Sequence, residues 1–217
     1  MPTPTNSINV SNTGAVSYNG TSFSGGTLSI ANGGTNASSY TQSNGVVTYN
    51  GTSLVNYAGP QISSGGVYTN ASQAAFSVYL TNTVSDVTGD GTEYTIIYDT
   101  ALANVGTVFN LGTGVFTAPV AGLYQFNCTL AFIDVGVGTG PELKLNTTGN
   151  TFLVTGSVDL GSSNLVMLCG SWIVSMASTN TASISCIMSG TTLTVDVSGL
   201  IGVANRAVNT FSGCLVA

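Results

Sequence analysis

Large apolar residues are unevenly spaced along the chain. From about Ala74 onward they fall in short runs, several alternating strictly with polar residues. Phe76-Ser77-Val78-Tyr79-Leu80, Leu123-Tyr124-Gln125-Phe126-Asn127-Cys128 and Ala182-Ser183-Ile184-Ser185-Cys186 alternate with a period of two. That period places successive side chains on opposite faces of a strand. Glu93-Tyr94-Thr95-Ile96-Ile97-Tyr98, Trp172-Ile173-Val174-Ser175-Met176 and Leu193-Thr194-Val195-Asp196-Val197 are further strand-like runs. Many short strands bounded by Gly, Asn, Ser and Thr predict an all-β sandwich or jelly-roll. The first part of the chain is thinner in apolar residues and repeats itself. Gly14-Ala15-Val16-Ser17-Tyr18-Asn19-Gly20-Thr21-Ser22-Phe23 recurs as Gly45-Val46-Val47-Thr48-Tyr49-Asn50-Gly51-Thr52-Ser53-Leu54. Strand formers around Asn-Gly predict a tight hairpin in each copy.

These patterns divide the chain into a hairpin-rich extension over 1–66 and an antiparallel jelly-roll head over 67–217, with the first head strand near Ala74. A lone two-stranded hairpin is marginal in water. Repeated weak units need neighbours to cover their apolar positions. Tyr18, Phe23, Tyr49 and Leu54 are therefore candidate inter-subunit contacts of a stalk or connector.

Composition sharpens this picture. Charged residues are 5% of the 217 residues, against about 25% in an ordinary soluble domain. Polarity comes from Ser, Thr, Asn and Gly instead. Lys144 and Arg206 are the only basic side chains, against eight acids, and the net charge is −6. Nucleic-acid binding requires many cations to neutralise phosphates, so it is not expected. No run of about 20 apolar residues is present, and no membrane insertion through a helix is expected. The N-terminus lacks the basic start and apolar core of a secretory signal, so export by that route is not expected.

The chain contains no His, which removes Ser-His-Asp and Cys-His catalysis. No pair of acids stands out as a glycosidase pair. The expectation is that the protein is not an enzyme. Asp86-Val87-Thr88-Gly89-Asp90-Gly91-Thr92-Glu93 partly follows the spacing of a calcium loop. Asp86, Asp90 and Glu93 are the candidate ligands, and calcium is the one cofactor the sequence leaves room for. The last acidic position of such a loop would fall at Ile97, and the plainer reading is a turn at Gly89-Asp90-Gly91. Cys128, Cys169, Cys186 and Cys214 stand in or beside apolar runs and read as buried free thiols, with disulfide pairing the alternative.

One stretch carries a family resemblance. Ile97-Tyr98-Asp99, Asn104-Val105-Gly106 and Thr113-Gly114-Val115-Phe116-Thr117-Ala118-Pro119-Val120-Ala121-Gly122-Leu123-Tyr124-Gln125-Phe126 are similar to the signature of the globular head of complement C1q, a tumour-necrosis-factor-like jelly-roll. Ala75-Phe76-Ser77-Val78 resembles its first strand and Thr210-Phe211-Ser212-Gly213-Cys214-Leu215 its last. Within this signature, Gly122 reads as the residue of a tight bend. The resemblance implies a compact homotrimer around an apolar axis, acting in binding or scaffolding. Phe76, Tyr98, Phe109, Phe116, Tyr124, Phe126, Trp172 and Phe211 are the expected core or axis residues. The repeat loosely resembles the stems of phage and bacterial fibres. The expected function is a subunit of a trimeric fibre or spike on a virion, phage or bacterial surface. A polymeric extracellular filament joined through the N-terminal segment is the alternative, and a glycan-cleaving fibre protein a remoter one. The expected partners are the chain itself and a glycan or protein receptor.

Overall fold

The computed structural model describes residues 8–10, 16–18, 21–23, 45–70, 73–136, 140–156, 164–201 and 206–217. The chain forms two compact units, Met1–Ser72 and Gln73–Ala217.

The first unit holds two small antiparallel sheets. Strands β1 (Ile8–Val10), β2 (Val16–Tyr18) and β3 (Thr21–Phe23) form one; β4 (Gly45–Tyr49), β5 (Leu54–Ile62) and β6 (Tyr68–Asn70) form the other. Each repeat copy supplies a hairpin, but the two turns differ. Tyr18 pairs with Thr21 across a two-residue connection. Tyr49 pairs with Leu54, so the second connection has four residues. The Asn50 carboxamide oxygen accepts from the Thr52 and Ser53 amides at 3.0 and 2.9 Å. This local side-chain turn competes with the tight hairpin that Asn-Gly predicts. Strand β6 pairs with Pro60–Ile62, which carries the first unit past residue 66.

The second unit is a sandwich built from β7 (Ala75–Tyr79), β8 (Val84–Thr88), β9 (Glu93–Thr95), β10 (Thr100–Val105), β11 (Phe109–Asn110), β12 (Val115–Thr117), β13 (Gly122–Ile133), β14 (Glu142–Thr147), β15 (Asn150–Thr155), β16 (Val166–Met176), β17 (Thr181–Ile187), β18 (Val195–Val197), β19 (Leu200–Ile201), β20 (Arg206–Ala207) and β21 (Thr210–Leu215). One sheet runs β10-β7-β21-β13-β18-β8, with β16 on the other flank of β13. The second runs β11-β12-β17-β14-β15, with β9 also on β17. Strands β19 and β20 form a separate ribbon. Strand β13 is long enough for β21 and β18 to share one flank: β21 pairs with 124–129 and β18 with 132–133.

The alternation read from the sequence places the core. Tyr124, Phe126, Cys128, Leu130 and Phe132 of β13 point inward and are buried. They meet Phe116 of β12, Leu143 and Leu145 of β14, and Ala182, Ile184 and Cys186 of β17 from the other sheet. Phe76 centres an aromatic cluster: its ring stacks on Phe109 at 4.8 Å and Phe116 at 5.3 Å, and meets Phe211 edge-on at 4.9 Å. Such arrangements suit the ring quadrupoles.

Gly122 differs from its expected role. A Cβ there would lie 2.5 Å from the Ala217 carbonyl oxygen and 2.6 Å from Leu215 Cδ1. The glycine admits the C-terminus alongside β13, where Leu123 N donates to Ala217 O.

Asn209 is buried inside the head, and no sequence motif announced it. Its carboxamide receives the Ala131 amide and donates to the carbonyls of Ala131 and Ser198. Its own carbonyl accepts from Leu80 N at 3.2 Å. One side chain thereby joins β13 to the segment after β18. Asn209→Ala is expected to lower stability by about 1–3 kcal/mol by orphaning buried backbone groups. Urea unfolding would read the loss, and amide exchange at Ala131 should quicken.

Candidate functional site: an uncharged sheet face

The inward residues of the first sheet fill the core, so their neighbours face outward. Strand pairing aligns these outward residues in three rows crossing β7, β21, β13 and β16. One row is Ala75, Cys214, Gln125 and Ile173; the next is Ser77, Ser212, Asn127 and Ser171; the third is Tyr79, Thr210, Thr129 and Cys169. No position in these rows is charged. Cross-strand contacts tie them together: Ser171 Oγ donates to Asn127 Oδ1 at 2.8 Å. Cys169 Sγ donates to Thr129 Oγ1 at 3.9 Å, a weak sulfur contact.

This face has relief. Ala75 and Ser77 of β7, Ala103 of β10, and Ser212 and Cys214 of β21, with Asn127 of β13, line a hollow of about 290 Å³. On β16 the outward side chains are large. Ile173 is 64% exposed and Met167 48%. A charge-free sheet face with exposed large apolar residues is the surface character of an interaction site. The alternation around Asn127 and Ser212 was visible in the sequence; the free face was not.

The expected core residues separate cleanly from this surface. Phe76, Tyr98, Phe109, Phe116, Tyr124, Phe126 and Phe211 are all buried inside a single head. Of the two expected roles, core or axis, these seven take the core: their rings are used within the sandwich. Trp172 is only partly buried and packs at the margin of the core, because β16 is bordered on one side by β13 alone. Tyr49 is 59% exposed, paired across the hairpin with half-buried Leu54. Tyr18 and Phe23 sit at register positions opposite Thr21 and Val16, and their side chains lie outside the described residues.

The thiols also divide. Cys128 and Cys186 are buried free thiols, and burial pushes each up to about 12. Cys169 is exposed and Cys214 half-buried. The expectation of four buried thiols is corrected for these two, which occupy outward positions on their strands.

The structure does not gather Asp86, Asp90 and Glu93 into one site. Among the described residues no group of three His, Cys, Asp or Glu comes together. Asp86 adopts a φ of 57° and donates its amide to Asp196 Oδ1 at 2.8 Å. Asp90 Oδ1 accepts from the Thr92 amide at 2.9 Å, closing the turn. Glu93 points to the outer face of the second sheet. There it accepts from Ser185 Oγ and lies 3.5 Å from Lys144 Nζ, which is also 3.5 Å from Glu142. The calcium spacing fails because strand β9 turns Glu93 onto β17 and β14.

Two carboxylates give the head an acid-sensitive component. The hydrogen bond from Ser185 holds the Glu93 carboxyl below its ordinary value against the opposing effect of burial, with Lys144 adding to the lowering. Burial would raise Asp99, but hydrogen bonds from Thr81 Oγ1 at 2.6 Å and Thr81 N at 2.9 Å outweigh it and leave Asp99 lowered. A depressed folded value contributes stability that is complete above the unfolded carboxylate range. That contribution is lost as the pH falls through the folded values. The urea midpoint should therefore hold from neutral pH to about 5 and fall below about 4. Glu93→Gln with Asp99→Asn should flatten that fall.

Comparison with known proteins adds the family. The C1q domain model matches residues 75–216. Among solved structures, the globular domain of zebrafish complement 1qA protein is similar at 16% identity and a TM-score of 0.46, covering 66% of this chain and 98% of that one. A crystal structure of murine APRIL is similar at 9% identity and a TM-score of 0.44, covering 66% of this chain and 99% of that one. A comparison with curated proteins finds no match.

Proposed function

The chain belongs to the C1q domain family through its second unit, and from that premise we propose that it is a structural or binding subunit of a trimeric surface fibre or spike, carried by a virion, a phage or a bacterial surface. The head is the self-associating part. The outward face of β16 and its neighbours carries this reading, because Ile173, in the first uncharged row, and Met167, one step beyond the third, are exposed to water there. Burying such a face between copies gains the apolar transfer energy and strands no ion in the interface. The first unit supplies the stalk or linkage, and the rest of the head's exposed surface is left for a glycan or protein receptor. Light scattering on the full chain should give a mass of three chains, and negative-stain images should show threefold particles. A monomer at micromolar concentration overturns the reading.

A polymeric filament is the second reading. It is favoured by the β4–β5–β6 sheet, which has three strands among the described residues and exposes Val47, Tyr49, Ile62 and Tyr68. Such a sheet can gain a strand from a neighbouring copy. Removal of residues 1–72 distinguishes the two. Trimers that persist and never polymerised before removal support the spike. Loss of long polymers, with folded heads remaining, supports the filament.

A further inference from the structure

Two turns of the chain carry the same local arrangement. Asn50-Gly51-Thr52 lies in the β4–β5 hairpin, and Asp90-Gly91-Thr92 leads from β8 to β9. In each, a side-chain oxygen of the first residue accepts from the threonine amide, Thr52 N at 3.0 Å and Thr92 N at 2.9 Å. Each glycine has positive φ, +96° at Gly51 and +94° at Gly91, and neither Cβ position has an atom within 4 Å. The two glycine amides differ. Gly91 N donates to Met188 O at 3.0 Å. Gly51 N donates to no group among the described residues.

We propose that Asn50 is a site of spontaneous deamidation through a cyclic imide, and that the matching turn of the head is protected from the same reaction by its tied glycine amide. Gly51 N, after losing its proton to solvent base, attacks Asn50 Cγ. The new Cγ–N bond closes the imide as the Cγ–Nδ2 bond breaks. The leaving nitrogen takes a proton from water and departs as ammonia. Water then opens the ring. Cleavage of the Cγ–N bond leaves aspartate. Cleavage at the Asn50 main-chain carbonyl leaves isoaspartate, with the chain continuing through Cγ. Nothing is oxidised or reduced.

The structure favours this chemistry at Asn50. Glycine has no side chain to hinder attack by its own nitrogen. The turn is exposed, so water and base reach it. The Thr52 and Ser53 amides draw electron density from the Asn50 carboxamide oxygen, which makes Cγ the better electrophile. The free Gly51 amide can deprotonate and turn toward Cγ without breaking a bond. Gly91 must first part from Met188, the same protection that slows exchange of bonded amide protons.

The Asn-Gly pairs of the chain, at Asn19, Asn32, Asn44 and Asn50, all fall in the first unit, and residues 73–217 contain none. Asn19, Asn32 and Asn44 lie outside the described residues. Deamidation at Asn50 adds negative charge to the extension and leaves the head unchanged. In a chain that is 5% charged, a carboxylate beside exposed Tyr49 alters the surface the extension offers to a neighbour. The inference goes beyond the fibre reading and does not depend on it.

The test uses the full chain and its Asp90→Asn variant, which places a second Asn-Gly-Thr in the head. Both would be incubated in mildly alkaline buffer, with and without concentrated urea. Peptide mass spectrometry reads the replacement of NH by O at each site, and isoaspartyl methyltransferase labelling reads the isoaspartate. In urea, where neither turn is formed, positions 50 and 90 should convert at matching rates. In native buffer position 50 should convert about tenfold faster or more. Native rates closer than that, in a variant with the melting curve of the natural chain, overturn the protection by Met188. The natural chain alone decides the site itself: a native Asn50 slowed more than about tenfold relative to urea overturns it.

Discussion

Phe126→Ala is expected to remove about 3–5 kcal/mol of head stability. The ring is fully buried. It lies against Phe116 at 5.3 Å, Phe211 at 5.8 Å and Phe76 at 6.3 Å. These partners come from both sheets, so the deletion opens a void between layers that no single strand can close by shifting. Domains of this kind are stable by only about 5–15 kcal/mol, and the variant should approach the edge of folding at physiological temperature. The urea midpoint measures it, with Phe126→Leu losing less because more of the volume stays. Leu102→Ala is the control: Leu102 is 75% exposed, and its loss should stay within about 0.5 kcal/mol. A Phe126 variant with the natural midpoint would mean that the aromatic cluster does not hold the sheets together.

Gly114→Ala is the second large effect. Gly114 has a φ of +70°, and a Cβ there would lie 2.3 Å from the Ile96 carbonyl oxygen. The obstacle is backbone, and that backbone is itself held, since Ile96 N donates to Ile184 O at 2.9 Å. Relief requires moving either the Asn110–Gly114 turn or Ile96 away from the core. Left-handed strain costs about 1–3 kcal/mol, and the forced displacement about 1–3 kcal/mol more. Gly149→Ala, in the same unit, isolates the first component. Gly149 also has positive φ, +94°, but nothing lies within 4 Å of its Cβ position. Comparing urea midpoints of full chains, Gly114→Ala should be clearly the more damaging. Equal effects would mean that close approach to Ile96 is not what requires glycine there.

These two positions show different degrees of legibility. Phe126 was visible as a core residue because it alternates with Gln125 and Asn127. Gly114 was visible as a turn residue in Thr113-Gly114, but its packing against Ile96 joins parts of the chain that only folding brings together. Asn209 was invisible for the same reason. Its partners Ala131 and Ser198 are backbone groups, and backbone groups leave no mark on sequence. Glu93 was legible only as part of a loop spacing with Asp86 and Asp90; its partners Ser185 and Lys144 come from β17 and β14, which only folding brings beside it.

The self-association face divides in the same way. Period-two alternation already decided which residues of β13, β21 and β7 leave the core, since a strand has only two faces. The scarcity of Lys, Arg, Asp and Glu, 5% of the chain, already made charge on such a face rare. By itself, then, the sequence determined an all-β head poor in charge, preceded by repeated hairpins. Only the tertiary structure decided that the aromatic residues are spent inside one head. Only it set Ala75, Ser77, Ser212 and Cys214 side by side along a hollow, and left Ile173 and Met167 of β16 exposed. The physical reason is register. Residues such as Ser77, Ser212 and Asn127 become neighbours through pairing between distant strands, and no local pattern specifies which strand lies beside which.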